Sequence, residues 1–430
     1  PTPANNAFIS TNYTTINISL TNAPDLQSLT FNWNGTNYTF YNNSLLVFMN
    51  FDNRSALGEN ATYVADLSNY SRNGTVIGGA VWNATGRYGG AYEFDGVNDW
   101  INPLNSGSNL INLNINSYSV WIKPTGGSVT GTDARTGLPG VTGDPLNTVH
   151  GISRGIVGSE DRIWVYAGSG GLKAVNTTYT NNAWTHIVWV HNATNLLGYK
   201  DGVLFGTVTV GVLGGNAYFS IGKSGDDIFF NGTIDEVMIY NRGLTAQEVQ
   251  QLYYSQITKY DSQNWSLSVN QSNLSNGNTY TYQAFAKDTT NNENQTEIRT
   301  LTFSVNVPII NITSPANNTV TSDTGIDVNY TVSDLNLQSC WYSNDTMTFN
   351  YSLSSCGTNI TAVTWSEGQH NVTIWANDTS NNVDSKNVRF TINTTAAPTI
   401  NINSVHIGLS GMNCLTSSYI FRSLTLYQQA

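Results

Sequence analysis

Acidic residues are scarce in this sequence, so each place where two of them meet is worth a chemical reading. The chain holds 28 Asp and Glu against 17 Lys and Arg in 430 residues. Among the places where carboxylates stand side by side are Asp235–Glu236 in GTIDEVMIY and Glu160–Asp161 in EDR. Cleaving a glycosidic bond takes two carboxyl groups converging on one oxygen. Adjacent residues of a regular strand point to opposite faces, so neither pair is expected to act as acid and nucleophile. The five histidines, at 150, 186, 191, 370 and 406, show no metal-ligand spacing. No G-x-S-x-G, H-E-x-x-H or phosphate-binding loop is present either. The expectation is therefore no catalytic residues and no enzyme.

Composition narrows the classes further. Net charge is −11, and charged residues make up 10% of the chain without a basic cluster, which disfavours nucleic acid as a partner. No apolar run approaches the ~20 residues of a membrane span. The first residues, PTPANNAFIS, have neither a basic nor an apolar leader region, so a signal peptide is expected to be absent from this sequence. Direct count gives 26 Asn-x-Ser/Thr sequons, among them Asn12, Asn34, Asn60, Asn73, Asn83, Asn176, Asn231, Asn264, Asn311, Asn344, Asn371 and Asn377. That density in a lysine-poor chain points to an extracellular, cell-surface protein solubilised by glycans and amides.

The elements that must position any site are strands. One segment stands apart: FFNGTIDEVMIYNRGLTAQEVQQLYY, residues 229–254, reads as strand, turn and helix. Thr245 and Glu248 form a capping box, Leu244 and Val249 a hydrophobic staple, and Val249, Leu252 and Tyr253 one apolar helix face. Upstream lie LLVFMNFDN at 45–53, ADLSNYSRNGTV at 65–76 and GGAYEFDGVNDWINP at 89–103. They are followed by SYSVWIKP at 117–124, WTHIVWVHN at 184–192 and YKDGVLFGTV at 199–208. In this order the segments resemble a laminin-G-like (concanavalin A-like) jelly-roll domain over about 45–255. The resemblance implies a non-catalytic recognition role, since related glucanases carry an E-x-D-x-x-E strand that this chain lacks. It also implies Ca²⁺, with Asp66 and Asp235 as ligands and Asn73 or Asp95 adding oxygens. The alternative is that Asp66 merely caps its own loop. Sugar binding would use rim loops and aromatic faces, here Asp133, Arg135 and Asp144 beside Trp164 and Tyr166.

The remaining sequence repeats itself. SPANNTV at 314–320 echoes TPANNAF at 2–8, and NLQSCWYSNDTMTFNYSL at 336–353 aligns with DLQSLTFNWNGTNYTFYN at 25–42. EGQHNVTIWANDTSNN at 367–382 aligns with NGNTYTYQAFAKDTTNN at 276–292. The strand pattern resembles immunoglobulin-like or fibronectin-III-like modules of prokaryotic, particularly archaeal, surface proteins. The fold expectation is all-β: tandem immunoglobulin-like β-sandwiches with an inserted concanavalin A-like jelly-roll sandwich. Residues 1–44 and 257–306 would be the halves of domain 1, 45–256 the insertion and 307–395 domain 2. Residues 396–430 would be a tail or a partial third module that opens PTININS, like PIINITS at 308–314. Cys340 and Cys356 align with Leu29 and Leu45, so both should point inward and form a disulfide. Cys414 is a lone thiol or an intermolecular bridge.

Two functions follow as expectations. One is a glycosylated surface adhesin whose jelly-roll binds glycans or another surface protein. The other is a self-assembling structural subunit of a surface layer or filament.

Overall fold

The computed structural model describes residues 2–103, 115–125, 136–142, 148–157, 160–169, 173–211, 218–223 and 229–395. Asp133, Arg135, Asp144, Cys414 and the rest of 396–430 lie outside them. Nearly every element is a strand. The chain divides into two compact units, one built from Pro1–Pro308 with Asp334–Gln338 and Asn377–Val383, the other from the remainder.

In the first unit, strands from either side of the jelly-roll segment share both sheets of one sandwich. Leu26–Trp33 pairs antiparallel with Thr279–Asp288, placing Leu29 opposite Ala286 and Phe31 opposite Ala284. Thr14–Leu20 pairs with Trp265–Gln271, which pairs in turn with Ser255–Lys259. The hairpin between Leu26–Trp33 and Thr36–Tyr41 turns at Asn34 and Gly35, with φ of 49° and 85°. Asn-Gly is the dipeptide that tolerates two successive left-handed residues.

The jelly-roll is a second sandwich. An eight-stranded sheet carries Ile115–Pro124 between Thr185–Asn192 and Asn231–Tyr240. Facing it, a five-stranded sheet runs in the order Lys173–Thr177, Glu160–Ser169, Thr148–Val157, Thr136–Thr142, Tyr218–Ser220. Between them lies an apolar core that includes Tyr118, Val120, Ile163, Val165, Trp189 and Ile234. Tyr118 stacks on Trp189 with ring centroids 4.6 Å apart.

The outward face of the eight-stranded sheet is not free. Val188, Val190, Met238 and Tyr240 belong to a second core together with Leu29, Phe31, Ile257, Trp265 and Leu267 of the neighbouring sandwich. The helix Ala246–Tyr253 sits in this seam, with Val249 fully buried. Its capping box forms as the residues dictate: Thr245 Oγ1 accepts the Glu248 N–H, and the Glu248 carboxylate accepts the Thr245 N–H at 2.9 Å. Arg242 holds the same carboxylate at 2.8 Å. The first unit is thus two sandwiches fused through a common core.

The second unit has its own interior, including Ile310, Val328, Tyr330, Ile374, Phe390 and Ile392. Ile309–Ser314 pairs with Asn329–Ser333. Cys340 and Cys356 are bonded, with Cα atoms 5.1 Å apart. Among the described residues, no helix is long and apolar enough to cross a membrane.

Candidate functional site

Alternation along Glu160–Ser169 separates packing from recognition. Ile163, Val165 and Ala167 are fully buried in the sandwich interior, so Arg162 and Trp164 project from the opposite face of the sheet. The register sets Trp164 between Ser153 and Asn176, and Arg162 opposite Gly155. Arg162 Nη1 donates to Asn176 Oδ1 at 3.2 Å. Trp164, Arg162 and Asn176 are each half-buried. An aromatic face is thereby flanked by a guanidinium and an amide, a set that can cover an apolar ring face while bonding hydroxyls at its rim. Tyr166 is buried at 5% exposure, and its carbonyl accepts the Trp189 indole N–H at 3.1 Å. Sequence reasoning missed Arg162 and Asn176. Their positions two residues from Trp164 and directly across from it become visible only once the strand register is known.

A second group of functional side chains gathers where alternation fails. In Asn231–Tyr240, Met238 stands opposite Ser119 and Asp235 opposite Trp121. One extra residue is therefore inserted between these pairs, and Glu236 takes it up at φ 52°. A bulge of this kind turns neighbours to the same side. Asp235 is opposite Trp121, and Glu236 lines a small cavity with Trp121, Ser119 and His186. The premise that adjacent carboxylates must face apart is corrected here: it holds for a regular strand and not at a bulge. Asp235 accepts the Tyr88 and Glu236 N–H groups at 3.1 and 2.8 Å, while Glu236 Oε1 is buried without a partner. Burial, first, and then the neighbouring Asp52 carboxylate push the Asp235 pKa well up. Burial and Asp235 do the same to Glu236. His186 is 1% exposed, with Nε2 2.8 Å from Ser119 Oγ. Burial, reinforced by the Arg87 charge, lowers its pKa to about 3. The cavity measures about 10 Å³, room for a single water molecule.

The expected cation ligands do not converge. Asp66 spends its oxygens on the Phe48, Ser68 and Arg72 N–H groups, at 2.8, 3.0 and 2.8 Å, and on the Ser68 hydroxyl at 2.7 Å. Asn73 Oδ1 accepts the Asp66 N–H at 2.9 Å. Asp95 caps its hairpin through the Val97 N–H at 2.7 Å and pairs with Asn231, four residues along the strand from Asp235. Among the described residues, no three His, Cys, Asp or Glu side chains gather to hold a metal ion. Donors already saturated by amides do not fit Ca²⁺, which takes six to eight free oxygens.

The sequons also differ in placement. Asn12, Asn34, Asn60 and Asn311 are exposed, and Asn73, Asn344 and Asn371 are partly so. The amide nitrogens of Asn83, Asn231, Asn264 and Asn377 donate to Glu93, the Asp95 carbonyl, Asp261 and Gln338. Asn176 faces Arg162 as above.

Comparison with known proteins agrees with this architecture. Residues 95–250 match the model of the concanavalin A-like lectin/glucanases superfamily. No curated protein sequence matches the chain. Among solved structures, domain 4 of an extracellular arabinanase from Geobacillus stearothermophilus, in complex with arabinotriose, is similar at 24% identity and a TM-score of 0.37. That match covers 48% of this chain and 97% of the domain. A Trypanosoma rangeli sialidase is similar at 16% identity and a TM-score of 0.38; 49% of this chain spans about a third (32%) of the sialidase. The binding domain of Paraclostridial Mosquitocidal Protein 1 is similar at 12% identity and a TM-score of 0.37, over 76% of this chain and 75% of that one. Values this low describe shared β-sandwich character alone. The expectation that the chain is not an enzyme is nevertheless corrected. The matching family model belongs to a superfamily of lectins and glucanases, so this fold gives no ground for excluding catalysis.

Proposed function

We propose that this chain is an extracellular surface protein that recognises carbohydrate on the five-stranded face of its jelly-roll, around Trp164. The observation that carries the reading is an outward tryptophan in mid-sheet, flanked by Arg162 and Asn176, on a strand whose other face is fully buried. A large aromatic side chain left partly exposed on a regular sheet contributes less to packing than one turned inward, which is the pattern of a contact surface. The concanavalin A-like match and the sequon density support the same reading. The shared core beneath the opposite sheet would hold the binding face rigid relative to the adjoining sandwich, as an adhesin requires.

The test is a glycan array probed with the full chain and with Trp164→Ala. Loss of one stacking contact should weaken binding by ~1–2 kcal/mol, roughly 5–30-fold. Reducing ends released during the same incubation separate turnover from binding. Glycan binding undiminished in Trp164→Ala would move the site elsewhere, and binding to no glycan would end the reading.

A further inference from the structure

One sheet of the second unit turns a pair of tryptophans outward. Gly368–Asp378 lies beside Leu337–Asn344 in a five-stranded sheet. Val372, Ile374 and Ala376 are fully buried on its inner face, so alternation sends Asn371, Thr373 and Trp375 to the outer one. On the neighbouring strand Cys340 is buried in its disulfide, and Trp341 takes the outer face. The Asp345 N–H donates to the Asn371 carbonyl at 2.7 Å. Four residues back on one strand and four residues on along the other, the rings of Trp341 and Trp375 lie 6.3 Å apart with planes 5° from parallel. The strands therefore run antiparallel. Their outer face carries three successive cross-strand pairs: Trp341 with Trp375, Ser343 with Thr373, and Asp345 with Asn371.

The first repeat has the same frame without the tryptophans. There the Asn34 N–H donates to the Thr281 carbonyl at 2.8 Å, Asn32 stands opposite Gln283, and Thr30 opposite Phe285. Thr281 takes the place of Asn371, and the sequon at Asn34 lies in the hairpin turn. In the second repeat the tryptophan pair arrives together with a sequon on its own face, Asn371-Val372-Thr373. Asn371 is partly exposed, and Asn387 Nδ2 donates to its Oδ1 at 3.2 Å. The amide is thereby oriented, and its nitrogen, the atom that carries a sugar, has no partner among the described residues. Ser343 and Thr373, between the two outer pairs, have buried hydroxyls that make no bond. That stretch offers a sugar nothing to bond. The partly exposed indoles beyond it offer a surface to rest on.

We propose that Asn371 carries an N-linked glycan whose first sugars lie back across the sheet onto Trp341 and Trp375, a placement that rests on the extracellular reading and not on the Trp164 site. Four residues of extended strand separate Asn371 from Trp375, about 13 Å, a span of a few sugar rings. A pyranose presents C–H groups on its faces and hydroxyls at its rim, so it covers an indole while its hydroxyls stay in water. Little intrinsic affinity is needed, because the tether holds the sugar at an effective concentration on the order of millimolar. The chain thus covers its own aromatic patch, which is withdrawn from contact with other molecules.

Thr373 supplies the test. Its hydroxyl makes no bond in the folded chain, so Thr373→Val abolishes the acceptor sequence without removing a hydrogen bond. Thr373→Ser keeps the sequence. The full chain is secreted from a host that attaches N-glycans, occupancy at Asn371 is read by peptide mass spectrometry, and ring exposure by hydroxyl-radical labelling of each tryptophan. The wild type should carry sugar at Asn371 and label about fivefold less at Trp341 and Trp375 than Thr373→Val, the ratio that an ordinary stacking contact sustains. Trp82 and Trp100, partly exposed in the jelly-roll, should label alike in both. Thr373→Ser should follow the wild type in proportion to its occupancy, and Asn371→Gln should match Thr373→Val. Asn371 left bare beside occupied Asn12 and Asn311 would overturn the proposal. So would equal labelling of the two rings with and without sugar. Bare sequons throughout would overturn it together with the extracellular reading, and leave the Trp164 array to stand or fall by itself.

Discussion

His186 is the group through which acid should loosen the seam between the two sandwiches of the first unit. It is 1% exposed, bonded to Ser119, and packed 5.0 Å from Trp121 and 6.0 Å from Tyr253 of the helix, ring centroid to centroid. Arg87 lies over the Trp121 ring, 4.3 Å from its centroid, and Glu236 shares the small cavity. Folding lowers the His186 pKa from 6.5 to about 3, chiefly by burial. A lowered base is neutral in the folded chain while the unfolded chain binds a proton. The stability contributed is intact above the unfolded pKa and is lost as pH falls from there toward about 3. Each unit corresponds to ~1.4 kcal/mol, so between about pH 7 and about pH 5 the loss is ~2 kcal/mol. That amounts to roughly 3 °C in melting temperature for a unit of this size. Asp235 and Glu236 titrate in the opposite sense: their raised pKa values mean that protonation favours the folded chain. The informative quantity is therefore the difference between wild type and His186→Gln, in which other titrations cancel. Thermal melts of both across that range should show the wild type losing ~2 kcal/mol more than the variant. Parallel pH profiles would refute the assignment of a buried neutral histidine.

Four further outcomes follow from the same geometry. Glu236→Gln removes a buried carboxyl whose pKa is raised, so the variant should gain on the wild type as pH rises above about 5, measured by urea melts; equal profiles would contradict the burial. Leu267→Ala, at a fully buried position of the shared core, should cost ~2–5 kcal/mol and lower the unfolding midpoint of the jelly-roll along with its neighbour; an unmoved jelly-roll transition would separate them. Thr245→Ala removes the helix cap and should cost ~1 kcal/mol by denaturant melts. Reducing Cys340–Cys356 should destabilise the second unit by ~3 kcal/mol, seen as an earlier transition without loss of the first.

Local chemistry was legible in the residues themselves. The capping box at Thr245, the Asn34–Gly35 turn, the all-β pattern and the inward placing of Cys340 each depend on a few neighbours or on a repeat that can be aligned by eye. The jelly-roll motifs were readable for the same reason, being short stretches in a fixed order. What the sequence could not supply were the places where a rule for regular elements breaks. The bulge at Glu236 brings two adjacent carboxylates to one face, and nothing in GTIDEVMIY marks the inserted residue, because register is set by the partner strands. Asp66 looks like a cation ligand until the chain folds back and fills its oxygens with amides from Phe48, Ser68 and Arg72. Arg162 and Asn176 become a pair only across strands. The common core of the two sandwiches is likewise decided in three dimensions. Burial and edge exposure depend on which surfaces meet. A one-dimensional pattern states that a face is apolar and leaves open what will cover it.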